Sequence, residues 1–173
     1  MVSLSFSFDG ECPQGVKEEY AIHLIDGLLQ IQDGNGVFVK DEHVPLIELA
    51  LWLSEWLDSV SSPTDRMFSF FPDSFEAALF QLAPLGDSRY QLAYAYLAYE
   101  EQETTSYLIA NEADFQLAFT EFISSLAQAL QQDYNISLEN IIGRFSKPEA
   151  QQNRTLGGKI DNFFFGWFLG KAT

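Results

Sequence analysis

The stretch from His43 to Ser59, HVPLIELALWLSEWLDS, constrains the fold more than any other part of this chain. Pro45 suits the first turn of a helix, where its missing N–H has no intrahelical partner to lose, and no further Gly or Pro interrupts the residues up to Ser59. A helix of about four turns follows. Leu46, Ile47, Leu49, Ala50, Leu51, Trp52, Leu53, Trp56 and Leu57 leave Glu48, Ser54, Glu55 and Asp58 as its polar positions, so its apolar surface is far wider than the stripe of a surface helix. Such a helix belongs at the centre of the molecule, covered on most sides.

Glu48 and Glu55 stand seven residues apart, two turns, and share one edge of this helix. Carboxylates avoid burial, so that edge is expected to reach solvent. The sharper alternative starts from Ile47 and Leu49, which flank Glu48 in the most apolar part of the helix. A carboxylate buried there has a raised pKa unless a cation or backbone donors meet it, and becomes a candidate functional or specificity residue, though not evidently a catalyst.

The chain before the helix reads as short strands. Val2, Leu4, Phe6 and Phe8 alternate with serines, the period-two pattern of a half-buried strand, and Asp9–Gly15 is a loop. Tyr20, Ile22 and Leu24 alternate again over Glu19–Ile25, and Asp26-Gly27 and Asp33-Gly34-Asn35-Gly36 both read as hairpin turns, which predicts a meander feeding directly into the helix. His23 falls in a strand of this reading and His43 at the start of the helix, both in core or surface roles. After the helix, Val60–Asp65 is a loop and Met67–Phe71 a short strand stopped by Pro72. Phe75–Leu82 fits both periods and is taken as strand because the turn-like Pro84-Leu85-Gly86-Asp87-Ser88 follows it. Arg89–Tyr99 has apolar or aromatic residues on both faces, as an inner strand does, Glu100–Thr105 forms a charged turn, and Ser106–Ala110 returns.

Asn111 is a favourable N-cap, and Glu112 and Asp114 complement the helix dipole behind it. Phe115, Ala118, Phe119, Phe122, Ile123, Leu126, Ala127 and Leu130 then recur at threes and fours, predicting an amphipathic helix to about Tyr134, with a shorter helix from Ser137 to Ile142 ended by Gly143. Segregated strands and helices indicate an α+β fold: an antiparallel sheet of several short strands packed by the central Trp-rich helix and the second long amphipathic helix. Residues 1–145 form one acidic domain. Residues 146–173 divide into a polar linker and a tail containing Phe163, Phe164, Phe165, Trp167 and Phe168, too many aromatic side chains to leave in water, so the tail is expected to pack on the domain. The alternatives for it are self-association, partner docking or an interfacial membrane anchor.

A single cysteine, Cys12, excludes an intrachain disulfide framework and fits a reducing compartment. With neither a secretory signal at the N-terminus nor an apolar run long enough to span a bilayer, a soluble cytoplasmic protein is expected. The formal charge is −16, and it is unevenly spread. Residues 1–143 carry −19, with Lys17, Lys40, Arg66 and Arg89 as their bases, while residues 144–173 carry +3. Such a body is repelled by nucleic-acid phosphates and attracts a basic protein surface, so direct nucleic-acid binding is not expected. Candidate contacts for a basic partner are Glu48, Glu55 and Asp58 on the central helix and Glu100, Glu101 and Glu103 in the charged turn. No metal-ligand spacing, P-loop, nucleophile elbow or dinucleotide fingerprint occurs, so no catalytic residue, metal or cofactor is assigned.

The order of parts, short strands with DG turns and then Pro45, Glu48, Leu49, Ala50, Trp52, Leu53 and Trp56 on the central helix, resembles small acidic immunity-type proteins of bacterial polymorphic toxin systems over residues 18 to 60. That resemblance implies a non-enzymatic inhibitor of one cognate toxin, often a nuclease. The basic aromatic tail departs from the pattern. Three other readings compete: a nucleic-acid mimic with carboxylates in phosphate-like rows, a small enzyme or ligand carrier with a pocket near Glu48, and an assembly subunit joined through the tail.

Overall fold

A computed structural model describes residues 1–10, 18–59, 67–72, 79–94 and 107–145. Three antiparallel strands, β1 (Ser3–Phe8), β2 (Asp26–Asp33) and β3 (Gly36–Pro45), form a first sheet in the order β1-β2-β3. In β1 the alternation works as expected: Leu4, Phe6 and Phe8 pack against the core while Ser5 and Ser7 are exposed.

Residues 19–25 are not a strand. A single helical turn, α1 (Glu18–Ala21), is followed by a turn in which the Leu24 and Ile25 N–H groups both donate to Ala21 O at 3.2 Å. The buried residues are Ala21, Ile22 and Ile25, with Tyr20 and Leu24 exposed, so the buried set is spaced for a helical turn and not for period two. Asp26-Gly27 is likewise no hairpin turn, since both residues lie in β2, where Gly27 pairs with Phe8 on one side and Val44 on the other. Glycine stands there for want of space: a Cβ would run into Ser7 O and Leu46 Cδ1. The second expected turn is real. Asp33 accepts the Asn35 N–H at 2.7 Å and Asn35 Nδ2 at 3.0 Å, and the backbone N–H of Asn35 is the main reason its carboxyl titrates below the usual range.

β3 runs straight into the central helix, α2 (Leu46–Asp58), with Pro45 as its N-cap and the Leu46 N–H held by Ile25 O at 3.3 Å. Beyond it lies a second antiparallel sheet, where a single sheet was expected, of β4 (Phe68–Phe70), β5 (Phe80–Gly86), β6 (Arg89–Tyr94) and β7 (Tyr107–Asn111) in the order β4-β5-β6-β7. β6 is an inner strand as its two-faced apolar pattern requires. β5 continues through Pro84 and Gly86, so the turn narrows to Asp87-Ser88, both at positive φ (52° and 58°), the conformation a tight two-residue hairpin demands. The loop at 60–65, residues 75–78, residues 95–99 and the charged turn at 100–105 lie outside the described residues.

The long helix α3 (Glu112–Ala129) buries Phe115, Ala118, Phe119, Phe122 and Leu126 and continues through one wider π turn, Leu130–Tyr134, to Asn135 in the left-handed region. Asn111 occupies the N-cap position, but its side chain makes no capping bond, and the Glu112 N–H donates to Ser88 O at 2.8 Å. Ser137 Oγ accepts the Asn140 N–H at 3.3 Å and so caps α4 (Leu138–Phe145). That helix passes through Gly143 instead of stopping there, and the partly buried Phe145 anchors its last turn against the core, which offsets the roughly 1 kcal/mol that an internal glycine costs.

α2 is central in a literal sense. Leu49 and Leu53 meet Leu4, Leu29 and Ile31 of the first sheet, Phe68, Phe80 and Leu92 of the second and Phe119 of α3, around an apolar void of about 10 Å³ that has no polar group to hold a water. Trp56 makes edge-to-face contacts with Tyr90 at 5.7 Å and Phe119 at 5.3 Å, and Trp52 with Phe68 at 6.4 Å. Tyr94 on β6 donates its hydroxyl to Asp41 Oδ2 on β3 at 2.7 Å, tying one sheet to the other. No helix among the described residues is long and apolar enough to cross a membrane.

Candidate functional site

The carboxylates of α2 do not share one solvent edge. Glu48 is buried, at 6% exposure, while Glu55 is half-buried and Asp58 exposed. The first turn of α2 carries more cover than the last, and Ile47 and Leu49 on either side of Glu48 are themselves fully inside. Glu48 does not lack an interaction partner, and its place in the first turn sets its charge near the positive end of the helix dipole. It therefore sits in the packing of α2, and Glu55 and Asp58 are the members of the pair-and-neighbour set that face water. Glu100, Glu101 and Glu103, and the tail aromatics Phe163, Phe164, Phe165, Trp167 and Phe168, lie outside the described residues.

Helix α3, with the segment after it, carries further acids. Glu112 and Asp114 in its first turn are half-buried, and Glu121, Asp133 and Glu139 are exposed. No Lys, Arg or His occurs anywhere between Arg89 and Arg144, so no positive side chain of this segment interrupts them. Leu117, 49% exposed, stands on the solvent side of the helix, three residues from Asp114 and four from Glu121. These acids were not among the candidates read from the sequence, where Glu112 and Asp114 served only as dipole partners. The signal that finds them is the missing cation, and it becomes a surface property once the helix shows which side faces out.

A second cluster forms at the end of the first sheet. Between Gly27–Val44 and Leu29–Asp41 the register shifts, so that Glu42 and His43 oppose the single residue Leu28, a β-bulge, and His43 takes φ +60°. Asp9, arriving from β1, holds that conformation: its Oδ2 accepts the His43 N–H at 3.0 Å and lies 3.1 Å from His43 Nδ1. The Asp9 N–H in turn donates to Asp26 O at 3.0 Å. Burial pushes the Asp26 carboxyl above the usual carboxylate range, with His43 opposing and Asp9 reinforcing the rise. The imidazole remains largely exposed, 77%, with its Nδ1 oriented by a carboxylate, so the arrangement offers solvent one ring nitrogen and two neighbouring acids. His43 belongs to this bulge and not to the helix, and nothing in the spacing of Asp9, Asp26 and His43 announces their meeting. No group of three His, Cys, Asp or Glu side chains among the described residues is placed to hold a metal ion.

Because the folded pKa of Asp26 lies above its unfolded value, the folded state binds its proton more tightly. Its contribution to stability is present below the unfolded pKa and is lost as pH rises through the folded one. Asp26→Asn is therefore expected to stabilise the protein slightly at neutral pH, by no more than about 0.5 kcal/mol for so exposed a group, and to leave it unchanged at acidic pH. Urea unfolding at both pH values reads the difference, and a variant less stable at neutral pH would show that the ionised carboxylate is favourable after all.

No curated protein and no solved structure matches the chain. One protein family, described as a domain of unknown function (DUF7878), matches over residues 4–132, from β1 through both sheets, α2 and α3 into the π turn, which takes in the cluster at Asp9, Asp26 and His43 as well as Glu112, Asp114 and Glu121 and leaves out α4 and the tail. On that match, covering most of its length, the chain belongs to the DUF7878 family.

Proposed function

We propose that this protein is a non-enzymatic binding protein of the immunity type, an inhibitor that neutralises a cognate basic toxin or effector, such as a nuclease, through its acidic surface. The observation that carries the reading is the run from Arg89 to Arg144, which holds no cation and in which Glu121, Asp133 and Glu139 are exposed and Glu112 and Asp114 half-buried. Asp58 and the half-buried Glu55 add to the negative field. A surface of one sign speeds encounter with a partner of the other and makes the association depend on salt. Leu117, exposed between Asp114 and Glu121 on the same helix, supplies an apolar contact beside these charges.

The test is a pull-down from the native host with the full-length protein, followed by expression of any stoichiometric partner alone and together with this protein. A basic partner that is released at high salt, is toxic alone and is harmless in co-expression is the expected result. Reversal of Glu112, Asp114 and Glu121 to lysine should then slow association roughly tenfold at low salt and weaken its salt dependence. A partner whose affinity ignores both ionic strength and the triple reversal would sink the electrostatic reading.

A further inference from the structure

The tip of the β2–β3 hairpin, Asp33-Gly34-Asn35-Gly36, brings a reactive pair together. Asn35 is the only asparagine of the chain that is followed by glycine; Glu112, Ile136, Ile141, Arg154 and Phe163 follow the others. The following residue matters because its backbone nitrogen can attack the asparagine side-chain carbonyl carbon, and a Cβ on that residue crowds the approach. Asn35 and Gly36 are both exposed, and nothing lies within 4 Å of a Cβ position at Gly36, so the reacting groups and water have room. Asn111 and Asn140 differ in setting as well as in neighbour, since one leads into α3 and the other lies within α4, where helical hydrogen bonding fixes the backbone.

Asp33 grips both partners of that reaction. Its Oδ2 accepts Asn35 Nδ2, the nitrogen that has to leave, at 3.0 Å, while its Oδ1 accepts the Asn35 N–H at 2.7 Å. The Gly36 N–H, which carries the attacking nitrogen, hydrogen-bonds to the same carboxylate. The bonds to Nδ2 and to Gly36 must both break for the reaction to proceed. The Gly36 nitrogen also becomes a nucleophile only as it gives up its proton, and a carboxylate at hydrogen-bond distance opposes the negative charge that develops there. We propose that Asn35 is a self-modification site, a slow deamidation whose rate Asp33 restrains. The Gly36 nitrogen loses its proton to solvent and bonds to Asn35 Cγ, the Cγ–Nδ2 bond breaks, and the amide nitrogen takes up a proton and leaves as ammonia. Water then opens the resulting cyclic imide at either carbonyl, giving aspartate or isoaspartate at this position, with one water consumed, one ammonia released and no change of oxidation state. Either product sets a second carboxylate beside Asp33 where a hydrogen bond stood. The isoaspartyl form also lengthens the main chain inside a tight turn, which the pairing of Asp33 with Gly36 does not accommodate. This inference is independent of the inhibitor reading.

Ageing the full-length protein in mildly alkaline buffer tests it, with proteolysis and mass spectrometry to follow the conversion of amide to acid at each asparagine. The expected result is conversion at Asn35 roughly tenfold faster than at Asn111 or Asn140, with aspartyl and isoaspartyl peptides both present. Asp33→Ala and Asp33→Ser, the second of which keeps an oxygen for the Asn35 N–H, should each speed the loss a further five- to tenfold or so, about what one charge interaction in a transition state is worth near solvent. Circular dichroism of both variants should match the parent, since only the hairpin tip is altered. In urea, where the turn is melted, parent and variants should converge. Conversion at Asn35 no faster than at Asn111 and Asn140 would overturn the site. Variants no faster than the parent would overturn the restraint by Asp33, and so would a difference that persists in urea, because it would trace the effect to the neighbouring residue type and not to the folded turn.

Discussion

Replacing Gly27 by alanine should cost about 2–4 kcal/mol of unfolding free energy, read as a lower urea midpoint with an unchanged slope. Gly27 lies in the middle strand of the first sheet, paired to Phe8 and Val44, so its backbone cannot retreat without breaking a ladder on one side or the other. The added Cβ would strike the carbonyl oxygen of Ser7, which belongs to the paired backbone, and Leu46 Cδ1 at the start of α2. The leucine can turn, but the carbonyl is held in place. Its φ is not in the left-handed region, so the glycine is required by space alone. Gly34→Ala is the matched control: no atom approaches its Cβ position and its φ is ordinary, so it should fall within about 0.5 kcal/mol of the parent. Equal effects at the two positions would mean that β2 does not pass this close to Ser7 and Leu46.

Trp56→Ala should be still more damaging, at about 3–5 kcal/mol, a large share of the stability of an ordinary domain. Trp56 is 4% exposed and joins three elements, its own helix, β6 through the edge of Tyr90 and α3 through Phe119. Removing it opens a cavity at the junction where α2, the second sheet and α3 meet, and none of the three can close it without leaving the other two. Trp56→Phe keeps an aromatic face and should lose about half as much. Thermal unfolding followed by circular dichroism separates the two variants. A Trp56→Ala protein as stable as the parent would mean that this tryptophan is not the joint between helix and sheets.

Among the residues that face solvent, legibility followed locality. The exposure of Glu121, Asp133 and Glu139 follows from helical periodicity, so the acidic side of α3 was within reach of the sequence even though it was not singled out. Asp9 and His43 meet over 34 positions through a bulge, and no local pattern encodes that. The fate of Glu48 was undecidable for a related reason: a carboxylate between Ile47 and Leu49 is equally consistent with an edge facing water and with an engaged buried group, and the choice depends on what packs over the first turn of α2.

By itself the sequence determined the local periods and the places where one conformation is compulsory: the alternation of β1, the Asp33–Gly36 turn, the uninterrupted apolar helix after Pro45, the stripe of α3 and the cap at Ser137. Each rests on interactions within a few residues, where side-chain spacing and backbone sterics suffice. The tertiary structure decided the rest. It turned 19–25 from strand to helical turn because Ala21, Ile22 and Ile25 had to face the core together, drew Asp26-Gly27 into β2 because Ser7 and Leu46 left room for nothing but glycine, and divided the strands into two sheets around α2. These outcomes depend on which distant surfaces compete for the same buried volume, a quantity that close packing fixes for the chain as a whole and for no segment alone.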